Sequence, residues 1–399
     1  MTRISTAHAF DSTLDRLVQR QSELSDAQQQ LSSGKRVNRA SDDPTAAARA
    51  ERALASVSRA DATKRAVDTS QTLMTQTEGA LGDAGELLQQ AREALVAAGN
   101  ASYGDAERKG LAQQLSGIRA QLLSVANRGD GTNGYLFGGQ GSSQPPFVDA
   151  PGGVQFQGVG GQAQAAGNEA LPITLDGNAT WLTAPTGNGV FETSAVTNTG
   201  SAWIDTGRVS DPSAITGSTY SVVFGVTAGS TTYSILKDGV ATAQTNVAYA
   251  SGKAITVDGM SFTISGAPAV GDTYQIAPST PTLSVFDALD KAIADLSTPS
   301  LNSGQLAQHN SENLRNVDAA MGRLQSARSD VGATLERIDG VTDRLDAQKL
   351  QGQTERSNAE DLDMVQAISD FQNKQSGYDA ALKSYSMVQR LSLFQYLNT

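Results

Sequence analysis

The stretch "LSSGKRVNRASDDPTAAARA", from Leu31 to Ala50, interrupts a chain that could otherwise continue as one long helix. Pro44 suits the first position of a new helix, because its fixed φ fits and its missing N–H is not needed there. Asp43 is then the expected N-cap, with Asp42 close enough to favour the positive helix end. Gly34 is the expected terminator of the preceding helix. The stretch reads as an elbow whose turn carries three cations, Lys35, Arg36 and Arg39. Those cations belong either to a solvated, capped turn or to a surface that meets acidic neighbours.

On both sides of the elbow the text is helical. Phe10, Leu14, Leu17, Gln21, Leu24, Gln28 and Leu31 recur at alternating spacings of four and three, the ~3.5-residue period of a coiled-coil seam. Val67, Met74, Leu81, Leu88 and Leu95 continue it, followed by Leu111, Leu115, Ile118, Leu122 and Val125. Towards the other end, Leu314, Val317, Met321, Leu324, Arg328, Val331, Leu335, Ile338, Thr342 and Leu345 form a second stripe. Met364, Ile368, Phe371, Gln375, Tyr378, Leu382 and Tyr385 form a third. The predicted terminal helices run from about Ser5 to Ser33 and from about Glu360 to Leu397. Gln21, Gln28 and Gln375 fall in the seams, where polar residues lower stability and fix register. Arms of this kind are marginal alone and gain order from neighbours.

The middle of the chain differs. From Gly138 to Pro281 it is rich in Gly, Thr and Ser, and its basic residues are Arg208, Lys237 and Lys253. "TYSVVFGV" and "TTYSILKDG" alternate as strands do, and "AITVDGMSFTI" reads as strand, Asp-Gly turn, strand. Trp181 and Trp203 both lie here. The expected fold class is α+β and multidomain: long terminal helices paired in a coiled-coil-like bundle, with an inserted mainly-β domain. The expected divisions are 1–40 with 355–399, 41–137 with 282–354, and the insert 138–281.

Composition narrows the function. The chain has 399 residues, a formal net charge of -11 and no cysteine. Thiolate chemistry and disulfides are excluded, and the acidic balance argues against a nucleic-acid partner. "MTRISTAHAFDSTLDRL" lacks the apolar core of a Sec signal, and no apolar run is long enough for a membrane span. Neither cofactor nor metal is expected. The two histidines, His8 and His309, lie in helical text without a nucleophile elbow, so no enzyme is predicted. Arg128-Gly129-Asp130 reads as a turn at a helix end, and the Asp-Gly pairs at Asp176, Asp238 and Asp258 read as hairpin turns, not calcium loops.

The elbow, "SARSDVGATLERIDGV" near the C-terminal end and "YDAALKSYSMVQRLSLFQYL" resemble the bacterial flagellin family. "RIST" at Arg3–Thr6 and "GYLFGGQGSSQPPF" at Gly134–Phe147 resemble its hook–filament junction branch. The resemblance implies an exported structural subunit of the flagellum. It would sit between hook-associated protein 1 and the flagellin filament, in a ring of its own copies, with no nucleic acid and no membrane as partners. It also implies flagellar type III export and a cytoplasmic export chaperone on the C-terminal helix. The implied assembly surface is Phe10, Leu14, Leu17, Leu24 and Leu31, the elbow cations Lys35, Arg36 and Arg39, and Ile368, Phe371, Tyr378, Leu382 and Tyr385. The competing readings are flagellin itself and, from another class, a secreted adhesin or glycan-binding protein with a helical stalk.

Overall fold

A computed structural model describes residues 6–100, 102–165 and 169–397; the side chains of 6–10 and 388–397 lie outside the description. "RIST" before Thr6 and the side chains of His8 and Phe10 therefore lie outside the described residues. The chain divides into two compact units, residues 1–65 with 341–399, and residues 66–340.

The first unit contains α1 (Thr6–Ser33), the first turns of α2 (Pro44–Ala98), the end of α6 (Ser303–Glu360) and α7 (Met364–Leu397). α1 packs along α7. The foot of α2 meets the end of α6 through small residues: Ala46, Ala50, Ala53, Ala60 and Ala359 are buried. Gly352 permits the approach, since a Cβ there would stand 2.8 Å from a Val57 methyl. Ion pairs Lys64–Asp346 (2.5 Å) and Lys349–Asp61 (2.8 Å) flank this seam.

The second unit is built on the heptads. Val67, Met74, Leu81, Leu88 and Leu95 of α2 are all buried, as are Leu115, Ile118, Leu122 and Val125 of α3 (Asp105–Ala126). On α6 the buried side chains include Val317, Leu324, Val331 and Ile338. Two positions of that stripe are corrected. Arg328 is exposed and pairs with Glu78 (2.6 Å), while Ala327 before it is buried; Val341, rather than Thr342, is buried. A straight helix drifts about 20° per heptad against a 3.5 repeat, which moves the buried face by one residue along a long stripe. α5 (Val285–Ser297) packs on α3 and is capped by Ser284, whose hydroxyl accepts from the Phe286 and Asp287 amides.

Between α3 and α5 lie the hairpin β1 (Phe147–Ala150) and β2 (Gly153–Phe156) and the short helix α4 (Gly177–Trp181). Trp181 is fully buried, stacked on Phe286 of α5 at 5.8 Å and edge-on to Phe137 at 5.3 Å. The "GYLFGG…PPF" text thus supplies two rings, Phe137 and Phe147, to one aromatic core. Gly139 (φ +68) is needed there, because a Cβ would strike the Val159 carbonyl. Asp176 corrects one expectation: its carboxylate N-caps α4 through the Ala179 amide (3.0 Å) and makes no hairpin.

The remaining strands form two antiparallel sheets. One has the order β3 (Phe191–Thr197), β12 (Thr273–Pro278), β6 (Tyr220–Thr227), β7 (Ser230–Lys237), β8 (Val240–Ala241), with β9 (Val247–Ala248) also on β7. The other runs β10 (Ala254–Val257), β11 (Met260–Ser265), β4 (Trp203–Ile204), with β5 (Arg208–Val209) on β11. Alternate residues such as Tyr220, Val222, Phe224 and Phe262, Ile264 face one shared core. Asp238-Gly239 and Asp258-Gly259 have φ values of 49°, 83° and 39°, 77°, the paired positive φ that a two-residue hairpin needs. The inserted mainly-β region expected from the alternation is present.

Candidate assembly interface

The elbow is built as its residues dictate. Gly34 ends α1 with φ +69, and its amide donates to the Gln30 carbonyl at 2.9 Å. Asp43 caps α2, accepting from the Thr45 and Ala46 amides at 3.1 and 3.0 Å. Those contacts, led by the Ala46 N–H and then the Thr45 hydroxyl, pull its carboxyl down to about 2. Asp42 has a different role from the one expected. Its carboxylate accepts from the Asn38 and Arg39 amides (3.1 and 2.8 Å) and closes the turn.

A second elbow, at the break expected near Glu360, lies directly against the first. α6 ends at Glu360 and α7 starts at Met364, capped by Asp363 through the Val365 and Gln366 amides. The two breaks are stitched together. The Arg36 amide donates to the Glu360 carbonyl (2.6 Å) and the Leu362 amide to the Gly34 carbonyl (3.0 Å). Lys35 pairs with Glu360 at 2.7 Å, which lowers the Glu360 carboxyl below its ordinary range. Arg36 bridges Asp43 (3.2 Å) and the Ala359 carbonyl (3.0 Å). So two of the three cations are used inside the subunit. Arg39 is exposed and pairs with no carboxylate among the described residues.

The terminal pair leaves much of its seam unspent. Leu17, Leu24 and Leu31 of α1 and Phe371, Tyr378 and Tyr385 of α7 are half-buried, whereas Leu14 is 41%, Ile368 46% and Leu382 40% exposed. Gln21, Gln28 and Gln375 are exposed rather than set into the seam, and Ala27, one residue before Gln28, is buried in its place. Apolar tracing overlooks alanine, whose small side chain carries little hydropathy signal. Two helices alone cannot bury two wide stripes. Covering each remaining large side chain would contribute on the order of 1 kcal/mol.

His309 sits beside Asp295 of α5, Nδ1–Oδ1 3.4 Å. Arg128 pairs with Asp83 at 2.7 Å, and Asp130 closes a turn onto the Thr132 and Gly134 amides. Among the described residues no cluster of His, Asp or Glu is placed to hold a metal ion, and no helix is long and apolar enough to cross a membrane.

The Asp43 cap gives a testable pH dependence. Its folded value is depressed, so its contribution is complete above the unfolded value near 4 and is lost as pH falls towards about 2. The Asp43 carboxyl carbon should titrate near 2 by NMR, and Asp43→Ala should speed amide exchange at Thr45 and Ala46. Titration at the ordinary value would rule out the cap.

Paired terminal helices thus flank an inserted β region in the sequence. The bacterial flagellin N-terminal helical region matches residues 4–142 and the C-terminal helical region residues 314–397, together more than half of the chain. The chain belongs to the flagellin family, and it is a structural protein of the bacterial flagellum. Relatives matched over nearly the whole chain include flagellar hook-associated protein 3. The Salmonella typhimurium protein of that name is 25% identical over 98% of this chain and 99% of its own length. The crystal structure of Xanthomonas campestris FlgL matches with a TM-score of 0.69 and 29% identity, over 77% of this chain and 99% of that one. The flagellar junction protein FlgL from Legionella pneumophila matches at 0.62 and 28%, over 69% and 94%.

Proposed function

We propose that this chain is the subunit of the hook–filament junction, forming a ring between hook-associated protein 1 and the flagellin filament. The full-length similarity to hook-associated protein 3 carries this reading over that of a filament flagellin. In this arrangement residues 1–40 with 355–399 face the inner tube, 41–137 with 282–354 form the surrounding layer, and 138–281 projects outward. The half-exposed seams of α1 and α7 are then completed by neighbouring copies, and the double elbow sets the step between layers. Before assembly the protein is an export substrate of the flagellar type III system, with a cytoplasmic chaperone covering α7. Its place of action is extracellular, and its role is structural rather than catalytic.

Deleting the gene and examining the cells by electron microscopy tests the proposal. Hooks without filaments, with flagellin shed into the medium, are expected. Filaments of normal length and number would refute it.

A further inference from the structure

Resting on the reading that copies of this chain assemble, we infer that an arginine-lined cleft at the foot of α2 receives the acidic face of α1 from a second copy. The cleft has a volume of about 590 Å³ and is lined by Arg36, Arg49 and Arg52 together with Asp43 and Glu355. Its carboxylates are already engaged: Asp43 caps α2 and holds Arg36, and Glu355 accepts from Gln351 at 3.0 Å. Two of its cations are not. Arg52 donates through Nε to the Ala48 carbonyl of its own helix, and neither Arg49 nor Arg52 pairs with a carboxylate among the described residues. At 100° per residue, Arg49, Arg52 and Arg59 fall within about 80° of one another, so the cleft opens onto a basic stripe.

The complementary surface is on the same chain. Asp11, Asp15 and Asp26 are exposed, and none pairs with a cation among the described residues. They fall within about 60° of one another on α1, roughly opposite Leu17, Leu24 and Leu31. Arg16 and Arg20 lie on another face, about 140° and 180° from Asp11. The subunit's own α1 uses its apolar side on α7 and leaves this acidic side bare. The spacings agree: Asp15 to Asp26 spans about 16 Å along the axis and Arg49 to Arg59 about 15 Å, at about 1.5 Å per residue. Helices laid side by side can therefore pair at both ends. Because the contact joins two different surfaces, it propagates from copy to copy into a ring or helix instead of closing a dimer. It is electrostatic and exposed, so it weakens with salt.

The absence of native cysteine makes the contact directly measurable. Two tagged full-length forms, one carrying Arg49→Cys and the other Asp15→Cys or Asp26→Cys, are co-produced in cells lacking the unaltered gene. Isolated flagella are then treated with a short bismaleimide. A mixed dimer with one of the two aspartate positions is expected, and none with Val365→Cys, an exposed site on α7. Arg49→Cys dimers with itself, or no mixed dimer at either position, would overturn the inference. In parallel, Arg49→Glu with Arg52→Glu should lower recovery in flagella at least about tenfold, and adding Asp15→Arg with Asp26→Arg should restore it. Normal recovery of the arginine variant would also overturn it. If the unaltered protein is itself missing from flagella, the junction reading fails and this contact with it; if it is present but uncross-linked, only the contact fails.

Discussion

Replacing Phe371 and Leu382 together with aspartate should abolish binding of the export chaperone and incorporation into flagella, while the thermal transition of residues 66–340 stays where it was. Phe371 is half-buried and Leu382 is 40% exposed, and neither belongs to the core of 66–340. Their apolar surface is therefore only partly used within the subunit. On the proposed role, a stripe left bare in the cytoplasm would invite premature association, and the proposed chaperone would cover it before export and neighbouring copies after it. Apolar anchors at the centre of such grooves commonly cost 2 kcal/mol or more each when lost, and two together predict a fall in affinity of at least about a hundredfold. Differential scanning calorimetry and pull-down with the chaperone, followed by immunodetection in isolated flagella, read the three outcomes. If α7 were simply the second half of an intramolecular core, calorimetry would show general destabilisation. Normal binding of the chaperone and normal incorporation would eliminate the shared-surface idea.

What could be read in advance depended on residue size and on local chemistry. The α2 heptads were legible because Val67, Met74, Leu81, Leu88 and Leu95 are large, and each is buried as its spacing required. Pro44, Asp43 and Gly34 were legible because each does one thing that few residues do well: start, cap or end a helix. The small-residue seam at the foot of α2 was not, since Ala46, Ala50, Ala53 and Gly352 pack by closeness rather than by hydropathy. The break near Glu360 was legible as the start of the last helix, but its cap was not, because "EDLDM" contains neither Gly nor Pro and Asp363 also reads as an ordinary surface acid. For the candidate interface, the stripe residues were legible but the fate of the cations was not. Lys35 and Arg36 find Glu360, the Ala359 carbonyl and Asp43, and only Asp43 is close in sequence.

Removing the indole of Trp181 should produce the opposite pattern. The side chain is fully buried, stacked on Phe286 at 5.8 Å, edge-on to Phe137 at 5.3 Å and 6.2 Å from Phe147. It ends a helix of five residues whose first residue, Gly177, has no room for a Cβ against the Phe137 carbonyl, and whose Ala179 carbonyl accepts from Arg323 of α6 at 2.6 Å. So tight a setting relaxes poorly around a void. Trp181→Ala should cost about 3–5 kcal/mol, lowering the calorimetric transition of residues 66–340 by roughly 6–20 °C at the ~2–4 °C per kcal/mol of a large domain. Trp181→Phe should recover most of the loss by keeping a ring against Phe286. Because α7 is untouched, chaperone binding should remain normal. That separates this variant from the Phe371 and Leu382 double aspartate, which spares the core and loses the partners. The remaining tryptophan, Trp203 on β4, serves as the fluorescent reporter of the sheets during the melt. A Trp181→Ala protein melting within about 2 °C of the unaltered one would show that the aromatic cluster holds nothing together, and the packing argument for "GYLFGG…PPF" would fall with it.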